Sequence, residues 1–501
     1  MRRRILSAIV VLSLAAALAA VPSLAHALSR EDVMARAKRW VDLPIPYSQT
    51  FYRDDGGATA TASTGWRCDC SGFVSMTWIT GKPGLSTRTL HYVSTVIPRE
   101  LLQPGDALVS YDNHAVLFGG WANAERTLYY AYEMSSSASR NSTPTPDGTV
   151  IRVTPYPYWS WPADRPYVPY RRDGITGSID YRPYVTSVSG ANRYETAAAA
   201  SRVAFPKGAP AAVVASGEDW PDALSASSLA GALGGPVLLT SRSRLPQPIA
   251  EELARLGARE VVVVGGPSVV TTAVLDAIAR VPGVSVVRRV AGADRYETAR
   301  AAAAETARIA GEPDAAFLCT GENYPDALAA APLAYAARWP VLLTRPETLS
   351  VDASAALAAA GPQRVYVLGG TAVVSTETAA AAAQILGSPT AATRIAGPDR
   401  YDTALRIAAL GVQRCGLTYA TPAIATGESF PDALAGGAMA GARSGVLLLT
   451  PSNRMYAKLW TQLAAASAQV GKPLVLGGDA VITPTVRTAI ALALEPVRPP
   501  Q

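Results

Sequence analysis

One cysteine and one histidine in this 501-residue chain have the surroundings of a nucleophile and its base. Cys70 lies in the tract Cys68-Asp69-Cys70-Ser71-Gly72-Phe73-Val74-Ser75-Met76-Thr77-Trp78. The chain has three histidines, and His26 falls in an apolar N-terminal segment, which leaves His91 and His114 as bases. A free thiol titrates near ~8.5, and a helix N-terminus with an adjacent imidazole lowers that enough to give thiolate at neutral pH. The chemistry expected of such a pair is acyl transfer. Cys70 attacks a peptide carbonyl, and His114 takes the thiol proton and passes it to the leaving amine. Glu133 is the candidate third member, holding the imidazole in one tautomer.

The elements that must position these groups are legible around them. Phe73, Val74 and Trp78 recur at helical spacing, which predicts an amphipathic helix with Cys70 at its N-terminus and the Cys70 backbone N–H as an oxyanion donor. Pro104-Gly105-Asp106 is a turn, and the apolar runs on either side of Asn113 read as strands. His114 then opens a strand, and Leu128-Tyr129-Tyr130-Ala131-Tyr132-Glu133 supplies the neighbour that carries Glu133. A metal site is a poor competitor, because one Cys pair without further ligands at suitable spacing cannot complete a four-coordinate sphere. A Cys68–Cys70 disulfide would close a very short, strained loop. His91 reads as a surface or packing residue, and Cys319 and Cys415 as structural thiols. No metal and no cofactor are expected.

Asp-Cys-Ser-Gly-Phe-Val, Pro-Gly-Asp and His-Ala-Val-Leu-Phe together resemble the NlpC-type cell-wall cysteine peptidases, over residues 30–178. The resemblance implies an α+β papain-like domain. It also implies a peptidoglycan endopeptidase that cuts murein stem peptides after D-glutamate, next to the diamino acid. Pro46-Tyr47 matches the family's Pro-Tyr tract, which implies that the Tyr47 hydroxyl lies near the thiol. Two features depart from the family: Ser48-Gln49-Thr50 replaces the usual Trp-Gly-Gly, and Glu133 stands where His, Asn or Gln is commoner. Two other readings keep the same residues. One is an N-acetylmuramoyl-L-alanine amidase (CHAP-like) or an acyltransferase using the same pair, and the other is a non-catalytic surface or adhesion protein that only binds.

The second half is a threefold repeat. Arg-Tyr-Glu/Asp-Thr-Ala opens at Arg193, Arg295 and Arg400. A Gly-Glu-x-aromatic-Pro-Asp-Ala-Leu tract follows, with its Asp at Asp222, Asp326 and Asp432. Next come Leu-Leu-Thr tracts ending at Thr240, Thr344 and Thr450, and apolar runs ending in Gly265-Gly266, Gly369-Gly370 and Gly477-Gly478. Four markers in one order, three times, define units of about a hundred residues. Short apolar strands alternate with Ala/Leu-rich helices, which predicts buried parallel sheets. Proline with Asp beside it builds a helix N-terminus, at the strand end where open α/β sheets bind ligands. No G-x-G-x-x-G follows a strand, so the dinucleotide signal is absent. Arg193, Arg295 and Arg400 are expected to pair with the helix-start carboxylates. Copy one departs from the others, with Ser187 and Asn192 where copy two has Arg289 and Asp294 and copy three has Arg394 and Asp399.

This half resembles the type-2 cell-wall-binding repeat of Gram-positive surface proteins, across residues 187–496. The resemblance implies three α/β parallel-sheet repeat domains in a pseudo-threefold arrangement that hold an anionic secondary wall polymer non-covalently. Arg193, Asp222, Arg295, Asp326, Arg400 and Asp432 are the candidate contacts.

Composition sets the frame. The chain is 49 % hydrophobic and 17 % charged, which excludes a disordered chain. Its net charge of +6 includes Arg2, Arg3 and Arg4, and the remainder balances 42 basic against 39 acidic residues, too mild for a nucleic-acid binder. Those arginines, the apolar run from Ile5 to Val21 and Ala25-His26-Ala27 have the three parts of a secretory signal. The expected organisation is a signal at 1–27, a peptidase domain at 28–178, a Pro/Tyr-rich linker at 179–186, and repeats at 187–286, 287–391 and 392–496. The partners expected are stem peptides and wall polymer, with no nucleic acid and, after signal cleavage, no membrane. The expected location is secreted, at the cell wall.

Overall fold

A computed structural model describes residues 28–43, 45–135, 150–157 and 166–496. The expected export signal at 1–27 lies outside the described residues. The chain divides into two compact units, with the division at Ser178–Ile179.

The first unit is α+β. Helix α1 (Arg30–Val41) starts at a Ser29/Asp32 capping box, in which the Ser29 hydroxyl accepts from the Asp32 amide and the Asp32 carboxylate accepts from the Ser29 amide. Strands β1 (Ser48–Arg53), β2 (Thr59–Ala60) and β3 (Trp66–Cys68) form a small antiparallel sheet in the order β2-β1-β3. Helix α2 (Cys70–Thr77) follows β3 after the single residue Asp69. Strands β4 (Ser94–Val96), β5 (Ala107–Ser110), β6 (His114–Trp121), β7 (Leu128–Ser135), β8 (Val150–Pro157) and β9 (Val168–Arg172) form an antiparallel sheet, ordered β4-β9-β5-β6-β7-β8. The prolines and tyrosines that precede residue 179 thus lie partly in strands, β8 and β9, and β9 is an inner one. Its Pro169 lies opposite Leu108, and the Pro169 carbonyl accepts from the Ile97 amide at 3.0 Å.

Every residue of α2 is buried, so it is a central helix and not the amphipathic one its spacing predicts. Phe73, Val74, Met76 and Trp78 share one core with Val33, Ala37 and Trp40 of α1 and with Leu117, Tyr132 and Met134 of the sheet. Gly72 permits the close approach of β3: a Cβ there would lie 2.1 Å from the Arg67 carbonyl oxygen.

The second unit holds the repeats. After β10 (Thr186–Val188) the first copy runs α3 (Arg193–Ala204), β11 (Ala211–Ser216), α4 (Pro221–Leu233), β12 (Val237–Thr240), α5 (Gln247–Leu256), β13 (Glu260–Val264), α6 (Thr272–Ala279) and β14 (Val286–Val290). The second runs α7 (Arg295–Ala310), β15 (Ala315–Thr320), α8 (Ala331–Ala337), β16 (Val341–Thr344), α9 (Val351–Ala360), β17 (Arg364–Leu368), α10 (Thr376–Ile385) and β18 (Ala392–Ile395). The third runs α11 (Arg400–Arg414), β19 (Thr418–Thr426), α12 (Pro431–Ala442), β20 (Gly445–Thr450), α13 (Ala457–Ala465), β21 (Leu474–Leu476) and α14 (Pro484–Leu494).

Each copy forms a four-stranded parallel sheet. The orders are β12-β11-β13-β14, β16-β15-β17-β18 and β20-β19-β21-β10. The strands β11, β15 and β20 are buried throughout, as a sheet covered on both faces requires. Helices α4, α8 and α12 touch one another in all three pairings, which gives the unit its pseudo-threefold centre. The fourth strands β14 and β18 straddle or follow the boundaries drawn in the sequence. The third sheet has no successor and takes its fourth strand from β10, at the start of the unit, so the ring closes. The expected linker 179–186 therefore ends inside a sheet, and Val185 beside it is buried.

Copy two breaks the helix pattern. Residues 328–330 form a 3-10 turn, and α8 starts only at Ala331, whereas α4 and α12 start at Pro221 and Pro431. The cause is Pro332, which has no N–H for an α-helix begun at Pro325 and fits only the first turn of a new one.

Candidate functional site

In the first unit, Asp69 is the N-cap of α2 and accepts from the Gly72 amide at 2.6 Å, which puts Cys70 at the first helical position. His114 opens β6. Leu117 lies opposite Tyr132 in the β6–β7 ladder, and this register carried back one step sets Glu133 opposite Val116. Glu133 is thus on the same sheet face as His114 and diagonal to it, within reach of a long side chain. Its Oε2 lies 2.8 Å from His114 Nε2. The same ring is also hydrogen-bonded to Cys70. Cys70, His114 and Glu133 therefore form one continuous chain of polar contacts between α2, β6 and β7. Both side chains of the His–Glu pair are largely buried.

Burial alone would lower the basicity of His114, but hydrogen bonds to Cys70 and Glu133, with their charges, prevail and push it up to about 10. The imidazolium is the favoured state at neutral pH, and it is the partner a thiolate needs. Cys68, two residues away, is buried at the end of β3, and desolvation pushes its thiol up to about 11. The two cysteines are thus sorted: Cys68 is a core thiol and Cys70 the one that meets the histidine. The Tyr47 hydroxyl is pushed up by burial first and then by the charges of Cys70 and Asp69, and it is hydrogen-bonded to the Gln49 side chain. His91 lies in a short 3-10 turn against Tyr92, outside this chain of contacts. Burial likewise raises the Cys319 and Cys415 thiols to about 12, and all four cysteines are free.

In the second unit, the carboxylate of each Pro-Asp tract, at a helix start in copies one and three, faces the next repeat around the ring. Asp222 bonds to Thr298 and feels Arg295, Asp326 bonds to Thr403 and feels Arg400, and Asp432 bonds to Thr196 and feels Arg193. The arginines of the Arg-Tyr tracts hydrogen-bond to backbone carbonyls and not, as their sequence positions suggest, to these carboxylates. Arg295 donates to the Gly321 carbonyl at 2.6 Å and Arg400 to the Gly427 carbonyl at 2.7 Å, and Arg193 donates to Gly217. Arg295 also lies over the Trp220 ring of the preceding copy, and Arg193 over Phe430. The direct partner of each carboxylate is the Thr two residues beyond the Tyr of the Arg-Tyr tract. Its identity in all three copies was the overlooked signal.

Desolvation leads in raising all three carboxylates, and Asp222 reaches about 6. Gly265, Gly369 and Gly477 have φ of +119°, +96° and +89°, and a Cβ there would lie 2.6–2.8 Å from the Asp222, Asp326 and Asp432 carboxylates. The first glycine of each Gly-Gly marker thus leaves room for that carboxylate. Clefts open at two of these junctions: one is lined by Asp219, Asp222, Ser268, Asp294 and Arg295, the other by Asn323, Asp326, Asp399 and Arg400. Close to the centre, Trp220 meets Tyr324 at 6.0 Å and Tyr324 meets Phe430 at 5.6 Å between ring centroids.

Comparison with known proteins bears on the second unit first. The pattern of the family described as cell wall binding domain 2 matches residues 188–275, 289–379 and 394–487. The chain is 30 % identical over 311 residues to the N-acetylmuramoyl-L-alanine amidase LytC of Bacillus subtilis, a match that takes in 62 % of this chain and 58 % of that protein. It is 27 % identical over 270 residues to the amidase enhancer of the same organism, taking in 54 % of this chain and 35 % of the relative. Among solved structures, Cwp6 from Clostridium difficile superposes with a TM-score of 0.57 at 18 % identity, over 79 % of this chain and 64 % of that one. Cwp8 from the same organism gives 0.53 at 24 %, over 62 % and 52 %. These structural likenesses concern the fold. With the pattern matched three times in succession over more than half of its residues, this chain belongs to the family of proteins that carry cell wall binding domain 2.

Proposed function

We propose that the chain is an exported peptidoglycan hydrolase, a cysteine endopeptidase whose residues 28–178 form an NlpC-type, papain-like catalytic domain. In this reading the repeats moor the enzyme to an anionic wall polymer, with Arg193, Asp222, Arg295, Asp326, Arg400 and Asp432 at the contacts. The observation that carries the reading is the unbroken hydrogen-bonded series Cys70–His114–Glu133 at the start of a buried helix.

The Cys70 thiolate attacks the carbonyl carbon of a stem-peptide bond, and the oxyanion is met by the Cys70 backbone N–H in the first turn of α2. The C–N bond breaks as the His114 imidazolium gives its proton to the departing amine, leaving a thioester on Cys70. His114, now neutral, takes a proton from water, whose oxygen attacks the thioester and returns the thiolate. Glu133 fixes the ring and balances its positive charge throughout. Tyr47 lines the thiol side of the site.

A second reading is favoured by the name of one relative, an amidase: the same three residues would then cut the bond between the lactyl group and L-alanine. The experiment is digestion of purified walls, with mass spectrometry of the soluble products. The endopeptidase reading predicts fragments with a new amino terminus at the diamino acid. Intact stem peptides beginning with L-alanine would replace it with the amidase reading.

A further inference from the structure

The polar contacts of one side chain outside the proposed catalytic series converge on the frame of the nucleophile. Arg67, in β3, donates from Nε to Asp69 Oδ2 at 2.9 Å and from Nη2 to Ser71 Oγ at 3.3 Å. It also donates from Nη1 to the Gly84 carbonyl at 2.8 Å and from Nη2 to the Leu85 carbonyl at 2.9 Å. The 84–85 turn is clasped from the other side as well, because the Leu85 amide donates to Ser75 Oγ of α2 at 2.9 Å. The guanidinium therefore ties together the strand that leads into Cys70, the N-cap that starts its helix, and the turn that packs on that helix.

The electrostatic consequence follows from what an N-cap must be. Asp69 Oδ1 accepts from the Gly72 amide at 2.6 Å and from the Ser71 hydroxyl at 3.2 Å, so the carboxylate stabilises the helix start. It also sets a negative charge one residue from Cys70, in a setting that is 9 % exposed at the Asp69 side chain. A carboxylate beside a thiol opposes formation of thiolate. The other groups facing this corner are His114 from β6, backed by Glu133 from β7, and the Tyr47 hydroxyl preceding β1. Of these only His114 brings positive charge, and it is shared between Cys70 and Glu133.

We infer that Arg67 is a positioning residue for Cys70: it holds the Asp69 N-cap and the 84–85 turn in place and balances the Asp69 charge one residue from Cys70. The inference rests on the reading of Cys70 as nucleophile. It adds that the helix start can use a carboxylate cap without suppressing the thiolate only because Arg67 is bonded to that carboxylate. Lysine would keep the charge but not the four-way fork.

The test is the pH profile, between pH 4 and 9, of Cys70 alkylation by iodoacetamide, an uncharged reagent, in the full chain. Tandem mass spectrometry separates Cys70 from Cys68. Arg67→Met is expected to move the profile up by about one pH unit, which is about a tenfold slower reaction on its rising limb. Arg67→Lys is expected to stay within about threefold of the parent. Asp69→Asn keeps a good N-cap acceptor and should move the profile down, and in the double variant Arg67→Met/Asp69→Asn the profile should return to the parent's. An Arg67→Met protein with the parent's melting temperature and the parent's profile overturns the inference. So does an upward shift that Asp69→Asn fails to reverse, or an Asp69→Asn protein whose profile does not move. Labelling needs no substrate, so these outcomes are separate from the digestion experiment, in which a Cys70→Ala protein that still cut walls would overturn the reading of the site itself.

Discussion

Arg487 of α14, fully buried, donates from Nη1 to the Ser187 hydroxyl of β10 at 2.8 Å, across 300 residues of sequence. It also donates from Nη2 to the Gly477 carbonyl at 2.6 Å and from Nε to the Ile482 carbonyl at 3.0 Å. In the other two sheets the equivalent carbonyls are served from the fourth strand itself. Arg289, opposite Val263, donates to Gly265 and Val270, and Arg394, opposite Val367, donates to Gly369 and Ser375. Ser187 holds that register position opposite Val475. The guanidinium missing from copy one is thus supplied from α14, to the Gly477 carbonyl that matches Gly265 and Gly369 and to the Ile482 carbonyl that matches Val270, where the ring closes; Arg394 takes its second acceptor one residue further on.

This relationship predicts a specific rescue. Arg487→Met strips buried carbonyls of their donor and is expected to lower the unfolding free energy of the repeats by about 3–5 kcal/mol. Adding Ser187→Arg rebuilds the arrangement of the other sheets and is expected to recover more than half of that loss. Urea unfolding followed by tryptophan fluorescence measures both. A double variant no more stable than Arg487→Met would show that the two arginine positions are not equivalent.

A pH effect follows from Asp222, which burial raises to about 6 from an ordinary value of 3.8. Its folded form holds a proton more tightly than its unfolded form, so its contribution to stability is full below about pH 4 and is lost as pH rises through about 6. Asp222→Asn removes that loss. The variant's advantage in unfolding free energy is expected to be larger at pH 7.5 than at pH 4, by up to ~3 kcal/mol. Melting curves of the two proteins that differ equally at both pH values would refute the assignment.

Glu133→Gln keeps a polar partner for His114 but removes the charge that favours its imidazolium. Wall digestion is expected to fall by about a hundredfold or more, and the alkaline limb of its pH profile to move to lower pH, because His114 then loses its proton sooner. A Gln variant with the parent's rate and profile would remove Glu133 from the site.

Gly72→Ala tests the approach of β3 to the helix start. Its Cβ would lie 2.1 Å from the Arg67 carbonyl oxygen, so strand and helix must separate. The expected result is a loss of about 1–3 kcal/mol in stability and a fall in Cys70 alkylation at pH 6. Alkylation at the parent rate in a destabilised protein would show that the first turn of α2 tolerates the displacement.

What the sequence disclosed was set by how local each cause is. The Cys70 and His114 tracts carry their own turn and helix signals, and strand alternation was enough to bring Glu133 to the ring. The four repeated markers disclosed the parallel sheets because both faces of those strands are buried and their apolar runs are unbroken. Arg67 was illegible, since its role depends on a turn at 84–85 that no spacing rule connects to it. Arg487 was illegible for the same reason, over a longer range. The expected pairing of Arg295 with Asp222 failed because a nearer acceptor, the Gly321 carbonyl, satisfies the guanidinium, while Thr298 reaches the carboxylate. The late start of α8 was written in Pro332, seven residues after Pro325, but shared motifs made copy two look like its neighbours.

In the proposed function Cys70, activated by His114, breaks a bond in the wall. Its most direct test is the rate at which purified peptidoglycan releases soluble peptide with the parent chain and with Cys70→Ala, at equal wall-bound protein. The expected result is release by the parent and none above background by Cys70→Ala, with both proteins bound alike. Release at the parent's rate from Cys70→Ala would contradict it.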